Sequence, residues 1–402
     1  MLRYSEKIFG LRRRIKDIGD GRIRPRIKTP TVITSVLVMM LSRMGSFNAL
    51  EQTRSCLFWK EQNKGVLPSA DTIGNVVSQV DLAALRAEIR NVYSRLKRNK
   101  ALRPLFPNSR FAVIVDGHES SASFRQCCCG CLHREVKTAS GTAIQFYHRH
   151  VMAVLLCRDF VLLLDLEMQR PGEDEVAAAT RLLQRLFRDY PRAFDMVIAD
   201  GLYARASFFK MVVSHGKEVI AVLKDNRRDL FQDAMGLFAQ EEPAVFQQGR
   251  LTRRCWDIEG FTSWVQLGKD ARVVRSLETK TVRRRMTGRE ESRESDWMWA
   301  TTVPKERVGT EPFVVTSHKR WDIENKAFNE LVNFWHADHV YKHTPTAIEA
   351  CWLLTMLAYN IFEAFINLNV KAIVREAYTK QHLGRMIAAE LYSNIPSLCR
   401  PP

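Results

Sequence analysis

The sequence predicts an α/β core, interrupted by a β-rich insertion and preceded by a basic helical domain. Three observations support this. From Phe111 to about residue 223, short apolar runs alternate with amphipathic stretches, the rhythm of strands and helices in a layered sheet. Residues 224–312 lose that rhythm and turn polar, with isolated strand-like pieces. Residues 1–105 combine helical periodicity with an excess of arginine and lysine. A chain of 402 residues has room for two or three domains. The expected divisions are 1–105, 106–223, 224–312, a return to the core over 313–368, and a helical tail over 369–402.

Near the N-terminus, "RRRIKDIGDGRIRPRIK" carries Arg12, Arg13 and Arg14 and is interrupted by Gly19, Gly21 and Pro25, so it reads as a flexible arm. A helix is expected from Pro30, with Val32, Val36, Leu37, Met40 and Leu41 on its apolar side. Another places Leu82, Leu85, Ile89, Val92 and Leu96 at alternating spacings of three and four, an apolar stripe for a core. Its opposite face carries Arg86, Arg90, Arg95, Lys97, Arg98 and Lys100, either solvated or laid against a nucleic-acid backbone.

In the core, "FAVIVDG" is a short apolar strand closed by Asp116 and a glycine. "GTAIQFYHRHVMAVLLCRDFVLLLDLEM" reads as two or three strands with a turn at Arg158-Asp159. "GEDEVAAATRLLQRLFRDY" is a helix whose first turn is acidic, where the helix dipole favours negative charge. "DMVIADG" is a second strand closed by acid and glycine, followed by the helix "YARASFFKMVVSHG" and the strand "KEVIAVLKD". In the insertion, "CWDIEG", "SWVQLG" and "WMWATTV" read as strands around the basic turn "TKTVRRRMTGRE".

Lys+Arg 61 against Asp+Glu 44 gives a formal net charge of +17, the electrostatic footprint of a protein that meets phosphate backbones. The opening "MLRYSEKIFGLRRRIKDIG" has no apolar h-region, so it does not read as a signal peptide, and a cytoplasmic location is expected. The most apolar run, "CWLLTMLAYNIFEAFINL", is interrupted by Asn360 and Glu363 and reads as a buried helix. Nine cysteines without an export signal point to metal or free thiols ahead of disulfides. In "FRQCCCGCLHREV", Cys128 and Cys131 form a C-x-x-C, half of a tetrahedral Zn²⁺ site. In "YHRH", His148 or His150 could complete it; a hairpin with spare thiols is the alternative.

The stretch "SHKRWDIENKAFNELVNFWH", Ser317 to His336, reads as one amphipathic helix that stacks Arg320 under Glu324. As a surface pair it has the poorer order, base before acid, and contributes only about 0.2–0.5 kcal/mol. Asp116 and Asp200 each follow an apolar strand, so rigid backbone holds a carboxylate where a ligand can reach it.

"VDG", "ADGLYA" and, far downstream, "RWDIENKAFNEL" resemble the DDE transposases of bacterial insertion sequences, and more narrowly the insertion-sequence-four family. The resemblance spans roughly residues 110–368 and implies an RNase H-like catalytic core with a β-rich insertion before the last acid. It also implies Asp116, Asp200 and Glu324 as catalytic ligands of two Mg²⁺ or Mn²⁺ ions. In that family the helix carries Tyr, Arg, Glu and Lys at fixed spacing; Ser317 stands here for the Tyr and Leu331 for the Lys. Lys326, Lys319 or His336 are candidates to take over the phosphate contact, and Arg320 would hold Glu324 or a phosphate. Similar transposases carry a C-x-x-C after the first Asp and stack an aromatic from the insertion on a flipped base. Trp297 and Trp299 are nearest that place, ahead of Trp256 and Trp264, with Trp321 close by.

The function implied is Mg²⁺-dependent cleavage and strand transfer at element ends. The partners are double-stranded DNA and a second copy of the chain. A nuclease without strand transfer, or a transposase-derived DNA-binding protein without activity, are the alternatives.

Overall fold

The computed structural model describes residues 1–105, 110–139, 141–224, 228–283 and 288–389. Part of the basic turn, 284–287, and the end of the tail, 390–402, lie outside the described residues. Helices α1 (Leu2–Phe9), α2 (Leu11–Ile15), α3 (Thr29–Leu41), α4 (Phe47–Gln52), α5 (Phe58–Asn63), α6 (Ala70–Val77) and α7 (Leu82–Arg98) open the chain. Strands β1 (Ala112–Ser123), β2 (Leu132–Thr138), β3 (Gly141–Leu156) and β4 (Val161–Met168) follow, then α8 (Glu175–Asp189), β5 (Met196–Ala199), α9 (Ala206–Ser214) and β6 (Glu218–Val222). Next come α10 (Arg228–Phe238), β7 (Ala244–Gln248), β8 (Leu251–Phe261), β9 (Ala271–Arg283) and β10 (Glu290–Thr301). The chain closes with α11 (Thr310–Ser317), α12 (Asn329–Trp335), α13 (Pro345–Leu368), α14 (Ala372–Ala377) and α15 (Lys380–Ala389).

These elements form two compact units. The first takes residues 1–103, 117–178 and 325–402; the second takes 104–116 and 179–324.

In the first unit, α13 is the central helix. Thr344 caps it by accepting from Ala347 N–H, and Pro345 occupies the first turn, where its missing N–H costs nothing. This helix is long and apolar enough to cross a membrane, yet 83% of its most apolar window is buried against protein. Its two polar interruptions have partners. Asn360 donates to Leu163 O and accepts from Leu163 N–H on β4, and fully buried Glu363 meets Lys380 at 2.7 Å. Asp81 caps α7 through Ala83 and Ala84 N–H, and the predicted stripe of Leu85, Ile89, Val92 and Leu96 is buried. Arg86 departs from the basic outer face expected for it: its guanidinium pairs with buried Asp165 at 2.9 Å and with Glu349. The expected flexible arm is ordered as well. Ile15 and Ile18 are buried, Arg14 pairs with Glu88, and Asp20 bridges to Val80 while holding Arg22 and Thr29. Arginine density suggested solvation; buried isoleucines and these polar ties hold the first part of the segment, while Ile23 is 91% exposed.

In the second unit the strand order is β1-β5-β6-β10-β9-β8-β7. β1, β5 and β6 run parallel. Their residues Ala112–Val115, Met196–Ala199 and Val219–Ala221 are buried throughout, the continuous apolar run of strands covered on both faces. β10 joins β6 antiparallel, and β9, β8 and β7 continue antiparallel from it. The residues read as an insertion thus extend the same sheet. "SWVQLG" is no strand: Val265–Leu267 form a 3-10 turn with Trp264 and Leu267 buried under it.

Candidate active site

All three acids belong to the second unit. Asp200 stands just past β5, and its Oδ1 accepts Leu202 N–H at 2.8 Å, forming an Asx turn that opens the 3-10 turn Gly201–Tyr203. Gly201 suits the close approach there, because a Cβ would lie 3.2 Å from Val222 O and from the Lys224 side chain. Lys224 thus crosses the turn beside Asp200, a cation that strand-and-helix patterning did not single out. Asp116 does not end its strand as expected; β1 runs on to Ser123. A Cβ on Gly117 would come within 2.1 Å of the Glu175 carboxylate, so the end of that side chain would have to move to admit one.

Register aligns the two aspartates. Ile114 stands opposite Ile198 in the parallel β1–β5 pair, and Asp116 and Asp200 each lie two residues further along. Neighbouring strands are about 4.8 Å apart, so extending this register puts the two residues at matching levels, Asp116 within β1 and Asp200 just past the end of β5.

The segment read as one amphipathic helix breaks into four pieces with three windings: the end of α11, a 3-10 turn at His318–Arg320, a π-helix at Ile323–Phe328, then α12. π segments are rare and concentrate at functional sites. Arg320 and Glu324 sit on either side of this change of winding. Arg320 Nη1 reaches Asp116 Oδ2 at 3.1 Å and Glu324 Oε1 at 3.3 Å, so one guanidinium bridges both acids. Arg320 and Asp116 are buried, while the Glu324 side chain is 41% exposed. The guanidinium also lies 4.3 Å over the Trp321 ring, a cation–π contact. Two carboxylate oxygens therefore already converge on one positive point, and hard oxygen donors are the set a divalent magnesium ion takes. The residue types suit such an ion, but Arg320 lies between two of the carboxylates, and among the described residues the three acids do not form a metal-holding group as they stand.

Around this point stands an aromatic wall. Trp297 is half-buried and meets Trp321 edge-on at 6.0 Å and His318 at 5.3 Å. Trp299 is buried at 2% exposure between Phe313 and His318, so of the two insertion tryptophans only Trp297 reaches the surface. His318 Nε2 pairs with Glu278 at 2.8 Å, and Arg253 meets the same carboxylate at 3.1 Å. Burial pushes the Glu278 carboxyl up, but the hydrogen bonds and charges of His318 and Arg253 outweigh it and hold it below the ordinary value. Arg272 anchors the approach to α11: it is buried with Asp257 at 2.7 Å and donates to Val303 O and Val308 O at 3.0 Å.

The remaining predicted positions scatter. Ser317 is buried and donates to Phe313 O, and Leu331 is fully buried, so neither faces a ligand. Lys326 is exposed, and its carbonyl accepts from Tyr359. Lys319 pairs loosely with Asp322 at 3.8 Å, and His336 Nε2 contacts Arg43 O. Arg12 and Arg13 are exposed on α2, whereas Arg14 is taken by Glu88.

In the first unit, Cys128, Cys131 and His148 come together as expected, and His343 joins them. The four ligand atoms lie within 4.8 Å of one another. His150 is excluded: it is fully buried against Trp352 and His118. Burial, with His343 adding to it, lowers His148 to about 4, which keeps the imidazole neutral and able to donate its lone pair. No spacing rule pointed to His343, which follows the third acid and belongs to "YKHTP".

Acids at the ends of the apolar runs of neighbouring parallel strands, with a third on a bent helix bridged to the first by Arg320, stand in one unit of an α/β protein. The sequence model of the family described as Transposase DDE domain matches residues 109–361. That is well over half of the chain, and the chain belongs to this family. No curated protein matches it.

Proposed function

We propose that the protein is a DNA transposase of the insertion-sequence-four kind, with an RNase H-like core, which cuts DNA at element ends and joins those ends to target DNA. The observation that carries this is the convergence of Asp116 and Glu324 on Arg320, with Asp200 at the matching register position beside Asp116. Asp116, Asp200 and Glu324 would hold Mg²⁺ or Mn²⁺, which supplies Lewis acidity and charge for an in-line displacement at phosphorus.

The chain's own residues do the rest. Arg320 orients Glu324 and offsets the repulsion between the acids. In the first step water adds to phosphorus and the bond to the 3′ oxygen breaks, leaving a 3′-OH and a 5′-phosphate. In the second step that 3′-OH attacks a target phosphodiester, one P–O bond replacing another, so no covalent enzyme intermediate is needed. Trp297 and Trp321 offer the aromatic surface for an unstacked base, a contact type that contributes about 1–3 kcal/mol. Arg12, Arg13 and Lys326 would meet backbone phosphates, whose contribution falls steeply with salt. A dimer on paired ends accompanies this reading.

A plasmid bearing the element's two ends, a labelled target and Mg²⁺ test it, comparing wild type with Glu324→Gln. Excision and joining by wild type alone support the transposase. Cutting without joining would make it a nuclease, and binding without cutting a DNA-binding relic. Equal cutting by the Gln variant would remove Glu324 from the site.

A further inference from the structure

We infer that Cys128, Cys131, His148 and His343 form a closed, four-coordinate Zn²⁺ site that staples the β2–β3 hairpin to the segment entering α13. The distances carry it. Cys128 and Cys131 sulfurs are 3.7 Å apart. His148 Nε2 lies 3.5 Å from Cys128 Sγ and 3.2 Å from Cys131 Sγ. His343 Nε2 lies 3.4 Å from Cys131 Sγ and 3.4 Å from His148 Nε2. A tetrahedron with Zn–S of about 2.3 Å and Zn–N of about 2.05 Å has edges of about 3.8 Å (S–S), 3.6 Å (S–N) and 3.4 Å (N–N). The five separations above lie within about 0.4 Å of these edges, with S–S the longest, and the sixth, Cys128 to His343, is within 4.8 Å. A hydrogen bond between Nε2 atoms of different tautomers would account for one pair at a time, whereas a single ion accounts for all four donor atoms facing one point.

The surroundings suit a metal knuckle. Cys131 N–H donates to Cys128 O at 3.0 Å, and Cys128 N–H donates to Cys131 Sγ at 3.2 Å, so the C-x-x-C turn is closed and one sulfur is hydrogen-bonded. Gly130 at the turn lets the backbone approach: a Cβ there would sit 3.1 Å from Pro345 Cγ and 3.7 Å from His148 Cε1. Two thiolates and two imidazoles are soft to borderline donors, the set that selects zinc over magnesium. With all four positions filled by protein, the ion is structural and takes no substrate. The two thiols release their protons as it binds.

The consequence concerns α13. His343 immediately precedes its capping Thr344 and Pro345, while Cys131 and His148 flank the hairpin. The metal therefore ties the start of the unit's central helix to the sheet, a tie that the local sequence around His343 does not provide. This site stands independently of how the acids are used.

The test is metal content and Co²⁺ spectroscopy on the full chain. Purified wild type should carry one zinc per chain, and Co²⁺ exchange should give the intense visible d–d bands of a tetrahedral site with thiolate charge transfer. His343→Ala should lose the metal or replace the tetrahedral spectrum with a weaker one. His343→Cys should restore a tetrahedral spectrum with stronger thiolate bands, which a misfolded variant would not. Cys129→Ser and His133→Ala should leave wild-type metal content. Wild type without zinc and without tetrahedral Co²⁺ bands, or His343→Ala with the wild-type spectrum, would overturn the site.

Discussion

Arg320 and Asp116, 204 residues apart in sequence, meet at 3.1 Å with both side chains largely buried. The same guanidinium nitrogen holds Glu324 one turn away. A buried cation shared by two acids is costly to remove, because what remains is charge without its partner. Arg320→Ala should lower unfolding free energy by about 3–5 kcal/mol in chelator, and Mg²⁺ should recover part of the loss. Urea midpoints with EDTA and with Mg²⁺ measure both; an unchanged midpoint in EDTA would show that the bridge is not a stabilising contact.

Trp297 and Trp299 stack at 6.3 Å yet should behave differently. Trp299→Ala opens a cavity in a packed core and should cost about 3–5 kcal/mol. Trp297→Ala should cost less than about 2 kcal/mol and weaken binding to DNA with an unstacked end base. Paired melts and binding titrations separate them; equal destabilisation would make Trp297 a core residue only.

Gly117→Ala puts a methyl 2.1 Å from the Glu175 carboxylate. The carboxylate is the far end of a side chain that can swing, so the cost should stay at or below about 1 kcal/mol, the low end for overpacking. Gly19→Ala, with nothing within 4 Å, is the control. If both variants melt together, the close approach does not constrain the strand.

Glu278 makes stability acid-sensitive. Its folded pKa lies below the ordinary value, owing to His318 and Arg253 acting against burial. The stability it contributes is therefore complete above the unfolded pKa of about 4.3 and is lost as pH falls through the lower folded value. Glu278→Gln should flatten that acid limb in a series of urea midpoints against pH. A variant with the wild-type slope would exclude the carboxylate as its source.

Much of this protein was written locally. The alternation of "FAVIVDG", "DMVIADG" and "KEVIAVLKD" with helices determined the parallel strands, since buried strands need unbroken apolar runs. The spacing of Arg320 and Glu324 determined that the two would touch. Tertiary structure alone decided the rest. It continued β1 past Asp116 to Ser123 and brought the Glu175 carboxylate over Gly117. Packing around Ile323, Ala327 and Phe328 accompanies a π-helix where periodicity called for an α-helix. It chose His343 over His150 as the fourth member of the cysteine cluster. Periodicity reports which face of an element is buried, a property of neighbours within a turn or two. It carries no record of which distant backbone arrives to crowd a glycine, or which distant imidazole arrives to complete a tetrahedron.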